Sequence, residues 1–269
     1  MNASEPNDGP NAEPALVMGI DIGGSAIKGA VVNLQEGIFA GQRIRYETGP
    51  DCTPEEHALL ATTIIDRLQY HGPVGIGFPG PIQAGSPRMA VNLHPVWVDL
   101  NAAAMFTEAT GQPCYLINDA DAAGLAEIHY GAGRDWANKV IFMCTLGTGI
   151  GSAIFVNGCL LPNSELGHIT VHNQDAEQRA SDAARRLKDL SWKKWAKRLQ
   201  EYFDEIEKLI SPDLIIIGGG VSKDSAKFLP LLRLRARVIP AELLNDAGII
   251  GAAWYAWQQN SGLVPDIAR

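Results

Sequence analysis

The sequence predicts an α/β protein of two lobes that face each other across a central cleft. Three observations predict it. Glycine-rich loops occur three times, at Asp21-Ile-Gly-Gly-Ser25, Leu146-Gly-Thr-Gly-Ile-Gly-Ser152 and Gly218-Gly-Gly-Val-Ser222, each directly after an apolar run. The second half repeats the strand and glycine-turn vocabulary that opens the first. A chain of 269 residues at 46% hydrophobic content also suffices for two modest domains that share a cleft.

Composition narrows the function classes. A net charge of −8 and a pI near 5.2 argue against broad nucleic-acid binding, which needs a strong positive field. No apolar run approaches the length of a membrane span, and the start lacks the basic and apolar pattern of a secretion signal. Cys52, Cys114, Cys144 and Cys159 stand far apart, with neither C-x-C nor C-x-x-C spacing, so a zinc site or disulfide framework is not expected. A reducing cytoplasm fits this usage best.

The first lobe opens with strands over Val17 to Ile22 and Ile27 to Asn33, joined by a Gly-Gly-Ser turn, and a third over Ile38 to Tyr46. Thr53 caps a helix from Pro54 to Tyr70, with proline at its first position. Val74 to Phe78 is a buried strand stopped by Pro79-Gly80-Pro81, and the loop beyond it is expected to wall the cleft. A helix from Leu100 to Thr110 ends at Gly111; a strand from Cys114 to Ile117 then meets Asn118-Asp119 at the turn into a helix over Ala120 to Tyr130.

In the second lobe the strands are Lys139 to Thr145, Gly151 to Val156 and Asp213 to Ile217, with helices between Ala176 and Ile210. The last helix, Ala247 to Gln258, is apolar on several faces and is expected to bury itself against the first lobe. The predicted organisation is a disordered tail over 1–14, a smaller lobe over 15–117 with helix 246–260 packed back on it, and a larger lobe over 118–245.

The glycine loops carry the first chemical signal. Gly23 and Gly24 let backbone N–H groups approach a phosphoryl oxygen, Ser25 adds a hydroxyl donor, and Asp21 at a strand end suits Mg²⁺ held through water. Gly147, Thr148, Gly149 and Gly151 oppose them from the second lobe, although glycine hairpin turns alone are common. Gly218, Gly219 and Gly220 suit a nucleotide or a tight turn equally. Lys28 follows the first glycine pair as a phosphate partner would, yet strand alternation equally puts it on a solvated face.

Asn118-Asp119 stands where sites form in open α/β sheets, at a strand's carboxyl end. The carboxylate of Asp119 can accept a sugar hydroxyl's proton while the amide of Asn118 fixes a neighbouring hydroxyl; an acid at such a turn is also an ordinary helix cap. Glu165 and His168, three residues apart, can both reach one cleft and suit several hydroxyls of a sugar. Asn92 and Asp99 are expected to complete that site.

Taken together, in this order and spanning Val17 to about Gly251, these motifs resemble those of the ROK family of sugar kinases. Asp21 to Lys28 looks like its first phosphate motif, Asn118-Asp119 its catalytic and sugar-binding pair, and Leu146 to Gly151 its second phosphate motif. Glu165-Leu-Gly-His168 looks like its sugar motif and Gly218 to Ser222 its nucleotide motif. The resemblance implies the two-lobed actin-like ATPase (ribonuclease H-like) fold of sugar-kinase type, and a homodimer. Many ROK proteins follow the Glu-x-Gly-His segment with a cysteine-rich zinc motif that brings another sugar-binding glutamate. Nothing like it occurs here, so structural zinc is not expected.

The polyphosphate glucokinase branch lacks that motif. Asn163 to His168, Asp175 to Ser181 and Leu190-Ser-Trp192 resemble it closely, which implies phosphoryl transfer from inorganic polyphosphate or ATP to the 6-hydroxyl of glucose, with Mg²⁺. Charge points the same way. Between Arg179 and Arg198 lie eight basic residues, among them Arg185, Arg186, Lys193, Lys194, Lys197 and Arg198, against Asp182 and Asp189: a local +6 that is either a guide for a polyanion or a solvated helix face. A strictly ATP-dependent hexose or N-acetylhexosamine kinase is the first rival. A ROK sugar-responsive repressor is another, but it needs a DNA-binding helix-turn-helix ahead of the first phosphate motif, where a short polar tail stands.

Overall fold

The computed structural model describes residues 15–90 and 93–262. The first lobe is built on β1 (Leu16–Gly23), β2 (Ala26–Asn33), β3 (Ile38–Phe39) and β4 (Ile44–Glu47), then α1 (Pro54–Arg67) and β5 (Val74–Phe78). A small hairpin of β6 (Ile82–Gln83) and β7 (Ser86–Pro87), helix α2 (Ala102–Thr110) and β8 (Cys114–Asn118) follow. Thr53 caps α1 in a full capping box with Glu56, and Gly111 closes α2 in the left-handed conformation, φ 66°.

Helix α3 (Asp119–Tyr130) leads into the second lobe: β9 (Val140–Leu146), β10 (Ile150–Val156), β11 (Cys159–Leu161) and the hairpin β12 (Thr170–Val171) and β13 (Gln174–Asp175). Then come α4 (Ala176–Ala180), α5 (Asp182–Leu187), α6 (Trp192–Ile210), β14 (Leu214–Gly218), β15 (Arg237–Pro240) and α7 (Ala247–Asn260). Serines explain why the stretch from Ala176 to Ile210 breaks into three helices. Ser181 Oγ accepts from Ala184 N and caps α5; Ser191 Oγ accepts from Lys194 N and caps α6.

The two main sheets share one topology. The first runs β3-β2-β1-β5-β8, with β4 also on β2; the second runs β11-β10-β9-β14-β15. In each, an antiparallel hairpin (β1–β2, β9–β10) is extended by two parallel strands. Alternation along each strand sorts the core into layers. Ile141 and Met143 of β9, like Leu214 and Ile216 of β14, enter a central core with α3 and α7, while Phe142, Cys144, Ile215 and Ile217 face α4 and α6. Met18, Ile20 and Ile22 face α1 and α2 on the far side of the first sheet.

Helix α7 therefore lies against β1, β5, β8 and α3. It can do so because small residues let backbones meet: a Cβ on Gly75 would overlap the carbonyl of Ala252, and one on Gly251 the carbonyl of Ala122.

One expected strand changes, and further elements appear. The strand expected over Ile38 to Tyr46 is interrupted. Phe39 pairs with Val32 and Ile44 with Gly29, so four residues on one side oppose two on the other and bulge out of the ladder. The segment after β14 is a 3₁₀ stretch, Gly220–Lys227, and β11 and β15 are strands that the sequence reading did not contain.

Candidate active site

A cleft of about 510 Å³ lies between the lobes, and most of the sequence candidates line it. From the β1–β2 turn come Gly23, Gly24 and Ser25; from the β9–β10 turn come Gly147, Thr148, Gly149 and Gly151. The second turn is closed by Gly147 N donating to Gly149 O at 3.0 Å. Asn118, Asp119, Glu165 and His168 form the other side, with Pro79, Gly80, Pro81 and Met89 as the expected wall.

Asn118 ends β8 and caps α3, its Oδ1 accepting from Ala120 N at 2.9 Å and Asp121 N at 3.0 Å. The capping role that an acid at this turn would ordinarily take thus falls to the neighbouring amide, and Asp119 is left to face the cleft. Burial, the charge of Asp21 and that of Glu165 push the Asp119 carboxyl up to about 7, against the Ala120 N–H that favours the ionised form. A carboxyl so placed exchanges a proton near neutral pH.

Glu165 stands 3.5 Å from Asn118 Nδ2 through its Oε1, and burial raises its carboxyl above the usual range. His168 donates from Nδ1 to Asp175 Oδ2 at 2.9 Å, and that bond raises the imidazole pKa. The carboxylate fixes the ring so that Nε2 is the free nitrogen. The cleft also holds a second glutamate that sequence reasoning did not assign: Glu177 lines it, and its Oε2 accepts from Ile150 N at 2.9 Å. The available signal was its place in the Asp175 to Ser181 segment. A glutamate therefore reaches the site without the cysteine-rich motif.

Other candidates fall elsewhere. Lys28 is not on the cleft wall, because its Nζ donates to Asp21 Oδ2 at 3.0 Å across the register of β1 and β2. Asp21 stands beside Gly248 in the first turn of α7. Of the third glycine loop, Gly219 lines the cleft in the left-handed region, φ 79°, whereas Gly218 is buried at the end of β14 and Gly220 starts the 3₁₀ stretch. Asp99 is exposed, pairs with Arg88 at 2.5 Å and is not among the residues that line the cleft. Asn92 lies outside the described residues.

The basic segment begins against the second glycine loop, since Ala183 N of α5 donates to Gly147 O at 3.0 Å. Its charge is partly neutralised. Buried Asp182 pairs with Arg185 at 2.7 Å and Arg186 at 2.5 Å, Arg179 pairs with Glu201, and Arg198 donates to the carbonyl of Arg179. Lys193, Lys194 and Lys197 are exposed at the start of α6, with no ion pair among the described residues. Arg185 and Lys227 flank Trp192, at 4.2 and 5.2 Å from its ring centre.

Residues 17–182 match the ROK family. The chain is 43% identical over 236 residues to the polyphosphate glucokinase of Mycobacterium tuberculosis, covering 87% of this chain and 89% of that protein. Among solved structures it is similar to the inorganic polyphosphate/ATP-glucomannokinase of Arthrobacter sp. strain KM. There the identity is 44%, the coverage 91% of this chain and 99% of that one, and the TM-score 0.86. A ROK family glucokinase from Streptomyces griseus, solved with glucose and AMPPNP, matches at 24% identity over 91% of this chain and 100% of its own, TM-score 0.76, which speaks for the fold alone. The shared fold is the actin-like ATPase fold of the sugar kinases.

Proposed function

The chain belongs to the ROK family, and from that premise we propose that it transfers a phosphoryl group from inorganic polyphosphate or ATP to the 6-hydroxyl of glucose. The observation that carries this reading is Asp119, held at the cleft between the glycine loops and Glu165 with its carboxyl pushed up to about 7. A base tuned there can take a proton from an alcohol as that oxygen becomes a nucleophile. The kinship to the mycobacterial enzyme and to the Arthrobacter glucomannokinase supports the donor and the acceptor.

In this mechanism glucose is bound by Asn118, Glu165, His168 and Glu177, which leaves O6 facing Asp119. Asp119 accepts the O6 proton while O6 attacks the terminal phosphorus; the bridging P–O bond breaks, and the leaving group is ADP or a polyphosphate shorter by one unit. Backbone N–H groups of the turns at Gly23-Gly24 and Thr148-Gly149 cradle the transferred group, and closure of the lobes excludes water.

For Mg²⁺ the chain offers Asp21, through water; its Oδ2 also accepts from Lys28 Nζ at 3.0 Å, and it stands two residues before the cleft-lining Gly23. Among the described residues no cluster of three His, Cys, Asp or Glu side chains is placed to hold a metal ion alone, but Mg²⁺ usually needs only one or two carboxylates besides waters and donor phosphates. The Asp21 carboxyl is near enough to act on Asp119. Bound there, Mg²⁺ would offset the negative charge of the donor.

The exposed lysines of α6, together with the start of α5 against Gly147, support a polyanion path to the second glycine loop. Product analysis tests the reading: ³¹P NMR of a reaction holding glucose and polyphosphate is expected to show a phosphomonoester at C6. Release of free phosphate alone would contradict it.

A further inference from the structure

We propose that Asp121 is a positioning residue that, through Asn163, holds Glu165 and the Pro79–Gln83 wall in register around the acceptor side of the cleft. This deepens the function proposed above and rests on it. Asp121 lies in the first turn of α3 and is 1% exposed. Its Oδ2 accepts from Asn163 N at 2.7 Å, and its Oδ1 has no partner among the described residues. Asn163 in turn grips the first lobe with both ends of its amide: Oδ1 accepts from Ile82 N at 2.8 Å, and Nδ2 donates to Ile82 O at 2.9 Å. Ile82 directly follows the cleft-lining Pro79-Gly80-Pro81.

These bonds close a ring. Asn118 Oδ1 accepts from Asp121 N, Asp121 accepts from Asn163 N, Asn163 is two residues from Glu165, and Glu165 Oε1 faces Asn118 Nδ2. Ser152 holds both neighbours of Glu165 as well: Leu166 N donates to Ser152 Oγ at 2.9 Å and Ser164 Oγ donates to Ser152 O at 2.9 Å. Asp121 therefore completes the frame that sets the spacing of Asn118 and Glu165. Asn163 holds φ 60° to do so, a conformation that asparagine tolerates better than most residues.

Stability alone is a poor reason for an acid here. Burying a carboxyl with one of its oxygens unpartnered is costly, and a single backbone N–H bond returns only part of that cost. Burial and the neighbouring charges of Asp119 and Glu165 push the Asp121 carboxyl up to about 8.

The test uses the full chain with Asp121→Ala, Asp121→Asn and Asn163→Gly, and follows thermal stability, the KM for glucose, the KM for polyphosphate and kcat. Asp121→Ala and Asn163→Gly are each expected to raise the glucose KM about tenfold while changing the donor KM less than about threefold. Asp121→Asn keeps an oxygen for Asn163 N and is expected to restore most of the glucose affinity. The double variant Asp121→Ala/Asn163→Gly is expected to be no worse than either single one, as for members of one unit.

Hydrogen exchange, read without turnover, is expected to quicken in both 79–83 and 163–166 in Asp121→Ala. Unchanged glucose KM, an equal rise in both KM values, or exchange that quickens in neither segment would overturn the proposal. Should the wild-type chain fail to phosphorylate glucose, the functional reading fails, and the exchange experiment still decides whether Asp121 holds the two segments. Asn163→Gly keeps the backbone conformation and serves if Asp121→Ala does not fold.

Discussion

The side-chain amide of Asn118 lies 3.5 Å from Glu165 Oε1 with its nitrogen, while its oxygen caps helix α3. One side chain thus starts the helix that carries Asp119 and braces a carboxyl 47 positions further along the chain. Substitution should separate the two tasks. Asn118→Ser retains a capping oxygen but loses the amide donor to Glu165, so thermal stability is expected to change little while the glucose KM rises about tenfold or more. Asn118→Ala is expected to lose about 1 kcal/mol of stability as well. Thermal denaturation alongside steady-state kinetics checks the split.

Asp119→Asn removes the base and leaves the shape. General-base catalysis is typically worth about 10² to 10⁴ in rate, so kcat is expected to fall by that factor, or about 3 to 5 kcal/mol, with the fold retained. Glucose binding measured by calorimetry should persist. Near-normal turnover would remove Asp119 from the mechanism.

The pH dependence follows from the same carboxyl. With its pKa raised to about 7, Asp119 acts as a base only when ionised, so kcat/KM is expected to rise with pH through about 7 and level off above it. Stability runs the other way. A carboxyl whose folded pKa exceeds its unfolded value near 3.8 binds more protons in the native state, so its contribution is complete below that value and is lost as pH rises to about 7. Asp121, at about 8, extends the loss. Melting temperatures from pH 5 to 9 should decline more steeply in the wild type than in Asp119→Asn.

Much of this site was legible because its signals are local. A glycine pair after an apolar strand, or Asn-Asp at a strand end, shows its chemistry within a few residues, and Gly23, Gly147, Asn118, Asp119, Glu165 and His168 all reach the cleft. Residues whose meaning depends on a partner far along the chain were not legible. Lys28 looks like a phosphate ligand until β2 pairs with β1 and hands it to Asp21. Asp121 and Glu177 read as ordinary helix residues until Asn163 and Ile150, 42 and 27 positions away, come to meet them. In the fold, alternation and capping showed α1, α2, β9 and β14, whereas the bulge between β3 and β4 depends on pairing register.

The basic segment gives a prediction about the donor. Replacing Lys193, Lys194 and Lys197 together by Glu is expected to raise the KM for long-chain polyphosphate about tenfold or more and leave the KM for ATP within about twofold, because a distributed field acts on an extended polyanion. Added salt should narrow the difference between variant and wild type, since exposed charges are screened beyond about 10 Å at 0.1 M. An equal effect on both donors would make the lysines a solvated helix face.

The most direct test of the central claim is the initial rate of glucose 6-phosphate formation by the purified chain with Mg²⁺, given inorganic polyphosphate or ATP as sole donor. Turnover on polyphosphate, lowered about 10²- to 10⁴-fold by Asp119→Asn, is the predicted result. Turnover on ATP with none on polyphosphate would contradict the donor assignment, and no glucose 6-phosphate from either donor would contradict the account as a whole.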